Sequence, residues 1–196
     1  MKLRNIIYSA LAVSALTLTS CSDSYLDEKM YSSYGTDVTD VEAKVIGLHQ
    51  KFADLWGWSD QQGFVGCWQD GTDVGAPGDT QGVEVPFYQY GSLNAENSGV
   101  SKLWTSLYSM INSANIIINT ENVDAAAKGE AEFFRAYAYN LLVTLWGPVP
   151  LLTESKAEPR TDFTRNAVSE IDAVIFADLN DAIANLPEVG TLAAMI

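Results

Sequence analysis

Four stretches of this chain repeat their apolar residues at intervals of three and four, and that period decides what the chain can fold into. Such spacing gathers the apolar side chains on one face of a helix and leaves a strand no coherent face to bury. From Thr39 to Trp56 the repeating positions are Val41, Val45, Leu48, Phe52 and Leu55. Thr39 and Glu42 stand at capping-box spacing, and Gly57 ends the run. From Ser98, read as the cap, to Asn119 a wide stripe holds Val100, Leu103, Trp104, Leu107, Tyr108, Ile111, Ala114 and Ile118. Asn112, Asn115 and Asn119 are costly inside a helix unless paired, so they are expected to bond to neighbouring backbone. From Asp124 to Trp146 the repeat is Ala131, Phe134, Ala138, Leu141, Leu142 and Leu145, and the small Ala131, Ala136 and Ala138 permit close helix approach. Gly147-Pro148-Val149-Pro150 stops that helix. From Asn166 to Leu186, Ile171, Val174, Ile175, Leu179, Ala182, Ile183 and Leu186 are predicted to face inward, and Asp172, Asp178 and Asp181 largely outward, with Pro187 at the end. The predicted fold class is therefore all-α: two helical hairpins in series, as in a tetratricopeptide-like stack of helix pairs.

Between the first and second helices lies a long segment, 57–97, with no helical period. It is rich in glycine, contains Pro77 and Pro86, and carries Trp58, Phe64, Trp68, Phe87, Tyr88 and Tyr90. An irregular stretch of this length inside a compact domain is usually functional or mobile.

The N-terminus has a different composition. Lys2 and Arg4 precede a short, mostly apolar run from Ile6 to Leu18, and Leu18-Thr19-Ser20 leads into Cys21. The run is too short to span a bilayer and has the flanks of an export signal. A cysteine directly after Leu-Thr-Ser matches the bacterial lipobox, in which the thiol is acylated and the preceding residues are removed. Residues 1–20 are therefore expected to be a lipoprotein signal peptide, Cys21 the lipid attachment site, and 21–37 an acidic tether. A membrane-anchored but non-spanning protein follows. Cys67 then has no partner for an internal disulfide and reads as a partly buried structural thiol rather than a redox centre.

Charge excludes one partner class. Lys2 and Arg4 are two of the 11 basic residues, so the processed chain carries 9 against 25 acidic ones, a net charge of −16. Nucleic acid binding needs clustered Lys and Arg, which are missing here.

Several blocks together resemble a known family. Cys21 is followed by Tyr25-Leu26-Asp27. Leu103-Trp104, Leu107-Tyr108, Ile111 and Ala114-Asn115-Ile116-Ile117 come next. Then Glu130-Ala131-Glu132-Phe133-Phe134-Arg135-Ala136-Tyr137-Ala138-Tyr139 runs into Leu142-Val143 and Trp146-Gly147-Pro148-Val149-Pro150. Arg165 precedes Ile171, Asp178-Leu179, Ala182 and Leu186-Pro187. In this order they resemble the N-terminal part of the SusD/RagB family of Bacteroidetes outer-membrane lipoproteins. The resemblance implies tetratricopeptide-like helix pairs spanning 38–196. It also implies display on the outer face of the outer membrane, with Asp23, Asp27 and Glu28 resembling a surface-export signal. The implied partner is a SusC-like TonB-dependent transporter, to which a captured nutrient, often an oligosaccharide, is passed. No catalytic activity and no cofactor are implied. Family members run far longer, with a large irregular C-terminal half. A chain ending at Ile196 is therefore expected to be a fragment with helix faces left open. The alternatives are a helical-repeat protein-interaction scaffold without sugar binding, or a non-functional fragment.

Sugars are gripped by aromatic faces and by polar groups that satisfy their hydroxyls, and the 57–97 segment has both. Trp58, Trp68, Tyr88 and Tyr90 are candidate platforms; Asp70, Asp73, Gln69 and Asn94 are candidate hydrogen-bond partners. The bland alternative is that these aromatics pack the loop onto the helices. Asp70 and Asp73 answer to a glycosidase carboxylate pair by composition only. Trp104 and Trp146 read as core, Arg135 as the partner of a nearby carboxylate, and His49 as solvated. A single histidine leaves no His-based metal site and no Ser-His-Asp triad.

Overall fold

The chain was analysed as a computed structural model, which describes residues 40–56, 70–76, 85–155 and 161–188. Among the described residues four long helices form: α1 Val41–Trp56, α2 Ser98–Ile118, α3 Ala125–Trp146 and α4 Val168–Asn185. Among the described residues there is no strand, and no helix is long and apolar enough to cross a membrane. The signal peptide, Cys21 and the acidic tether lie outside the described residues.

Side chains fix where the helices begin. The Asp40 carboxylate accepts the Ala43 N–H at 3.2 Å, so Asp40 serves the start of α1; Thr39 lies outside the described residues. The cap of α2 is Asn97 rather than Ser98: its side chain accepts the N–H groups of Gly99 (2.9 Å) and Val100 (3.2 Å). Extended backbone at Asn97 lets the amide oxygen reach those two donors, and Ser98 is already helical. Asp124 caps α3 in the same way. At α4 the helix starts at Val168, two residues later than the period suggests. Asn166 is drawn off instead: its N–H donates to the Val149 carbonyl and its side-chain oxygen accepts the Leu151 N–H. Gly147, at φ +70°, terminates α3 in a backbone conformation that a side chain resists.

Neighbouring contacts give the helix directions. Trp104 meets Trp146 edge-on (centroids 5.3 Å apart) while Asn115 meets Arg135, so α2 and α3 are antiparallel. Arg135 meets Asp178, and a Cβ on Gly129 would lie 3.2 Å from Asn185 Cβ, so α3 and α4 are antiparallel too. Helix α1 packs on both α2 and α3. Against α3 it runs parallel, with His49 on Phe134 and Phe52 on Tyr137. Helix α3 therefore touches all three others.

The core is the buried set the period picks out, with additions. Leu48, Leu107, Ile111, Ala114, Ala131, Ala138, Leu142 and Ile171 are fully buried. Each large aliphatic side chain among them contributes about 2 kcal/mol of apolar transfer. Met110, Ile117, Tyr139 and Val149 join them, which the stripe did not include. Trp104 and Trp146 are partly buried and pack against this core. Leu145 and Ile183, expected inward, are exposed, and Asp178, expected outward, is buried. Ile183 loses its place because α4 meets α3 through Ile171, Ile175, Asp178 and Ala182, one narrow seam that turns Ile183 away.

Asp178 is buried because it has a purpose-built partner. Arg135 donates from Nε to Asp178 Oδ2 and from Nη2 to Asp178 Oδ1, both at 2.7 Å, a bidentate pair. Its Nη1 donates to Asn115 Oδ1 at 2.8 Å. Asn115 Nδ2 then donates to the Leu152 carbonyl (2.9 Å), which also accepts the Tyr139 hydroxyl (3.0 Å). The Tyr108 hydroxyl donates to the Pro150 carbonyl at 2.7 Å. One polar chain thus links α4, α3 and α2 and straps the Pro150–Leu152 backbone to the bundle. Asn115 bonds across the fold, not locally as expected, while Asn119 does reach its own helix at the Asn115 carbonyl.

Candidate functional site

The described parts of the 57–97 segment are shaped by short local elements. Val85–Tyr88 makes one helical turn and Tyr90–Ser92 a 3-10 turn, so the segment is less irregular than its sequence suggests. Ser92 Oγ donates to the Gln89 carbonyl at 3.0 Å, and Asn94 Oδ1 accepts the Glu96 N–H at 2.9 Å. Asn94, considered as a ligand partner, is therefore used in shaping its own turn.

Gly71 joins the two halves. It sits at φ +85°, and a Cβ there would collide with the Phe87 carbonyl oxygen and the Tyr90 hydroxyl. The absence of a side chain lets the Tyr90 hydroxyl donate to the Gly71 carbonyl at 2.5 Å. This bond ties the turn holding Asp70 and Asp73 to the turn holding Tyr88 and Tyr90. Four of the six candidate residues thus lie on these two linked turns. Trp58 and Trp68 lie outside the described residues, as do Gln69 and Cys67.

The two tyrosines remain open to solvent after this anchoring, Tyr88 at 50% and Tyr90 at 66% exposure. The hydroxyl bond to Gly71 tethers the far end of Tyr90 while its ring stays at the surface. An exposed, oriented ring is the arrangement that stacks on the apolar face of a sugar. Asp73 is exposed and Asp70 half-buried. Gly71 was missed by sequence reasoning; the Asp70-Gly71 pair is a turn signal that marks it.

The remaining singled-out polar residues are absorbed by the bundle. Arg135 (7% exposed) is committed to Asp178 and Asn115, as its pairing with a carboxylate was expected to be. Burial pushes the Tyr139 hydroxyl up to about 12 and raises Tyr108 as well, so both stay neutral donors. His49 is not simply solvated. Its Nε2 lies 2.7 Å from Glu130 Oε2, and its ring stands edge-on to Phe134. Glu132 is unusual. It is buried, Lys128 Nζ lies 3.4 Å from Oε1, and Oε2 has no hydrogen-bond partner. Burial raises its carboxyl above the usual range; Lys128 pulls it back, and Asp181 and Asp178 push it further up.

Comparison with known proteins identifies the family. Residues 24–193 match the SusD-like family described as "Starch-binding associating with outer membrane". A SusD-like protein of Bacteroides ovatus is 28% identical over 192 residues, covering 91% of this chain and 34% of its own length. A SusD-like protein of Formosa agariphila is 30% identical over 176 residues, covering 79% of this chain and 32% of its own. The chain therefore spans about a third of the length of these curated relatives. Among solved structures, a laminarin-binding SusD-like protein superposes with a TM-score of 0.66 at 24% identity, over 76% of this chain and 34% of that one. A protein crystallised with a xylogluco-oligosaccharide gives 0.60 at 24% identity, over 76% and 30%. These two share the helical fold. With its family match covering nearly all of the sequence after the apolar N-terminal run, the chain belongs to the SusD-like family.

Proposed function

We infer that this chain is a surface-exposed outer-membrane lipoprotein, anchored through Cys21, that binds a nutrient glycan and delivers it to a SusC-like TonB-dependent transporter. The observation that carries the binding step is the exposed Tyr88–Tyr90 pair, held by the Tyr90–Gly71 bond beside Asp70 and Asp73. Tyrosine faces supply stacking, and carboxylates accept from sugar hydroxyls. Family membership supports the outer-membrane setting, and the glycans named for the two structural neighbours support an oligosaccharide as the ligand class. The lipobox around Cys21 supports the anchor. Binding without turnover is the reading for Asp70 and Asp73, and reducing-sugar release from a polysaccharide would overturn it.

Pull-down on insoluble polysaccharides tests the reading. Retention is expected, and is expected to fall in Tyr90→Ala and Trp68→Ala variants; no retention on any polysaccharide contradicts it. For the anchor, Cys21→Ser is expected to move the protein from the membrane to the soluble fraction. An unchanged membrane fraction would contradict lipidation.

A further inference from the structure

Charge in the segment that bears the tyrosines is of one sign. Between Lys51 and Lys102 the chain has no Lys, Arg or His, and every charged residue there is acidic. Among the described ones, Asp70 and Asp73 lie within two residues of Gly71, whose carbonyl accepts the Tyr90 hydroxyl. Both carboxylates therefore stand on the turn that is bonded to the tyrosine-bearing turn. Glu96, further along the same segment, is exposed.

Donors that could hold an anion are engaged elsewhere. The N–H groups at the start of α2, the helix that follows the segment, would suit an anion, but Gly99 and Val100 donate theirs to the Asn97 side chain. Lys51 donates to Ser109, Lys128 lies against Glu132, and the Arg135 guanidinium is taken by Asp178 and Asn115. A bound anion needs cations or N–H donors to replace its water, and a carboxylate supplies neither. A sugar hydroxyl is the opposite case. It donates its proton to a carboxylate, while the apolar face of the sugar ring lies on an exposed tyrosine.

We propose that the Tyr88–Tyr90 site selects uncharged glycans and rejects glycans that carry uronate or sulfate groups. This selectivity rests on that loop being a glycan platform, and it adds the charge class of the ligand. The tyrosine faces stack on any sugar ring, so they do not discriminate by charge. Asp70 and Asp73 do. They accept from the hydroxyls of a neutral sugar and repel a carboxylate or sulfate carried on the same chain.

The test is isothermal titration of the whole chain with a soluble glucan, mannan and galactan, each in three forms. One form is unmodified, one is sulfated, and one is hydroxypropylated to a similar degree, which adds bulk without charge. For any polymer that binds, the sulfated form is expected to bind at least about tenfold more weakly than the other two at low ionic strength. The gap is expected to close as salt rises from about 10 mM to about 1 M and the screening length falls from about 30 Å to about 3 Å. Asp73→Asn is expected to raise affinity for the sulfated form, which a purely structural role for Asp73 would not do. A sulfated polymer bound as tightly as the unmodified one overturns the charge selection and leaves the platform standing. So does a gap that persists at the highest salt or that the hydroxypropyl form shares, since bulk would then be the cause. Binding of none of the polymers in any form removes the platform itself, and the charge selection with it.

Discussion

Arg135 and Asp178 show how much depends on a few buried polar atoms. Both charges are inside the bundle, at 7% and 4% exposure, so removing either leaves the other stranded. Asp178→Ala is expected to cost about 3 kcal/mol in denaturant unfolding, while a double Arg135→Met, Asp178→Leu variant recovers most of that loss. A single variant as stable as the parent would contradict the bidentate pairing. Glu132 behaves in the opposite sense. Its folded-state carboxyl titrates above the ordinary value because burial disfavours the ion, so the charged form opposes folding. That opposition is absent below the unfolded value, about pH 4.3, and grows as pH rises through the folded one. Glu132→Gln is therefore expected to be the more stable protein at pH 7, by about 1 kcal/mol, with the difference closing at pH 4. A difference that stays constant with pH would contradict this account. The sequence marked Arg135 as the partner of a carboxylate but not which one. Asp178 is identical in type to Asp172 and Asp181, and only the helix crossing decides which of them turns inward.

At the scale of elements, the helices were legible because burial on one face imposes a period, and the stops were legible because Gly147 and Pro148 cannot continue a helix. The caps were less so. Ser98 and Asn97 are both good caps by type, and the choice is settled by which residue has extended backbone. The candidate loop site was visible in the sequence only as composition, an aromatic and acidic cluster between two helices, and its geometry was not. The Tyr90–Gly71 bond joins residues 19 positions apart and leaves no periodic trace. Gly71 gives the element its sharpest test. Gly71→Ala adds a Cβ where the Phe87 carbonyl and the Tyr90 hydroxyl already sit, at a φ that costs an alanine about 1 kcal/mol or more. It is expected to weaken glycan binding about tenfold while the helical circular-dichroism melt stays in place. Normal binding by this variant would detach the Gly71 turn from the site.

At the scale of the whole chain, the proposed reading makes the bundle a frame and the loop between α1 and α2 the working part. The polar chain from Asp178 to Leu152 locks three helices and the segment after α3 together. Ile183 marks where sequence reading failed at this scale. An apolar residue at helical spacing was assigned to the core, yet α4 has two apolar faces and only one has a partner among the described residues. Period alone cannot say which face meets α3 when both are apolar. The central claim remains that Tyr88 and Tyr90 form a glycan platform. Isothermal titration of the chain with starch-, laminarin- and xyloglucan-derived oligosaccharides tests it most directly, alongside the Tyr88→Ala, Tyr90→Ala double variant. At about 0.5–1.5 kcal/mol for each stacked ring, the account predicts saturable binding to at least one glycan, weakened about tenfold or more in the double variant at an unchanged unfolding temperature. Binding that the double variant retains in full, or heats of dilution alone for every glycan, would contradict it.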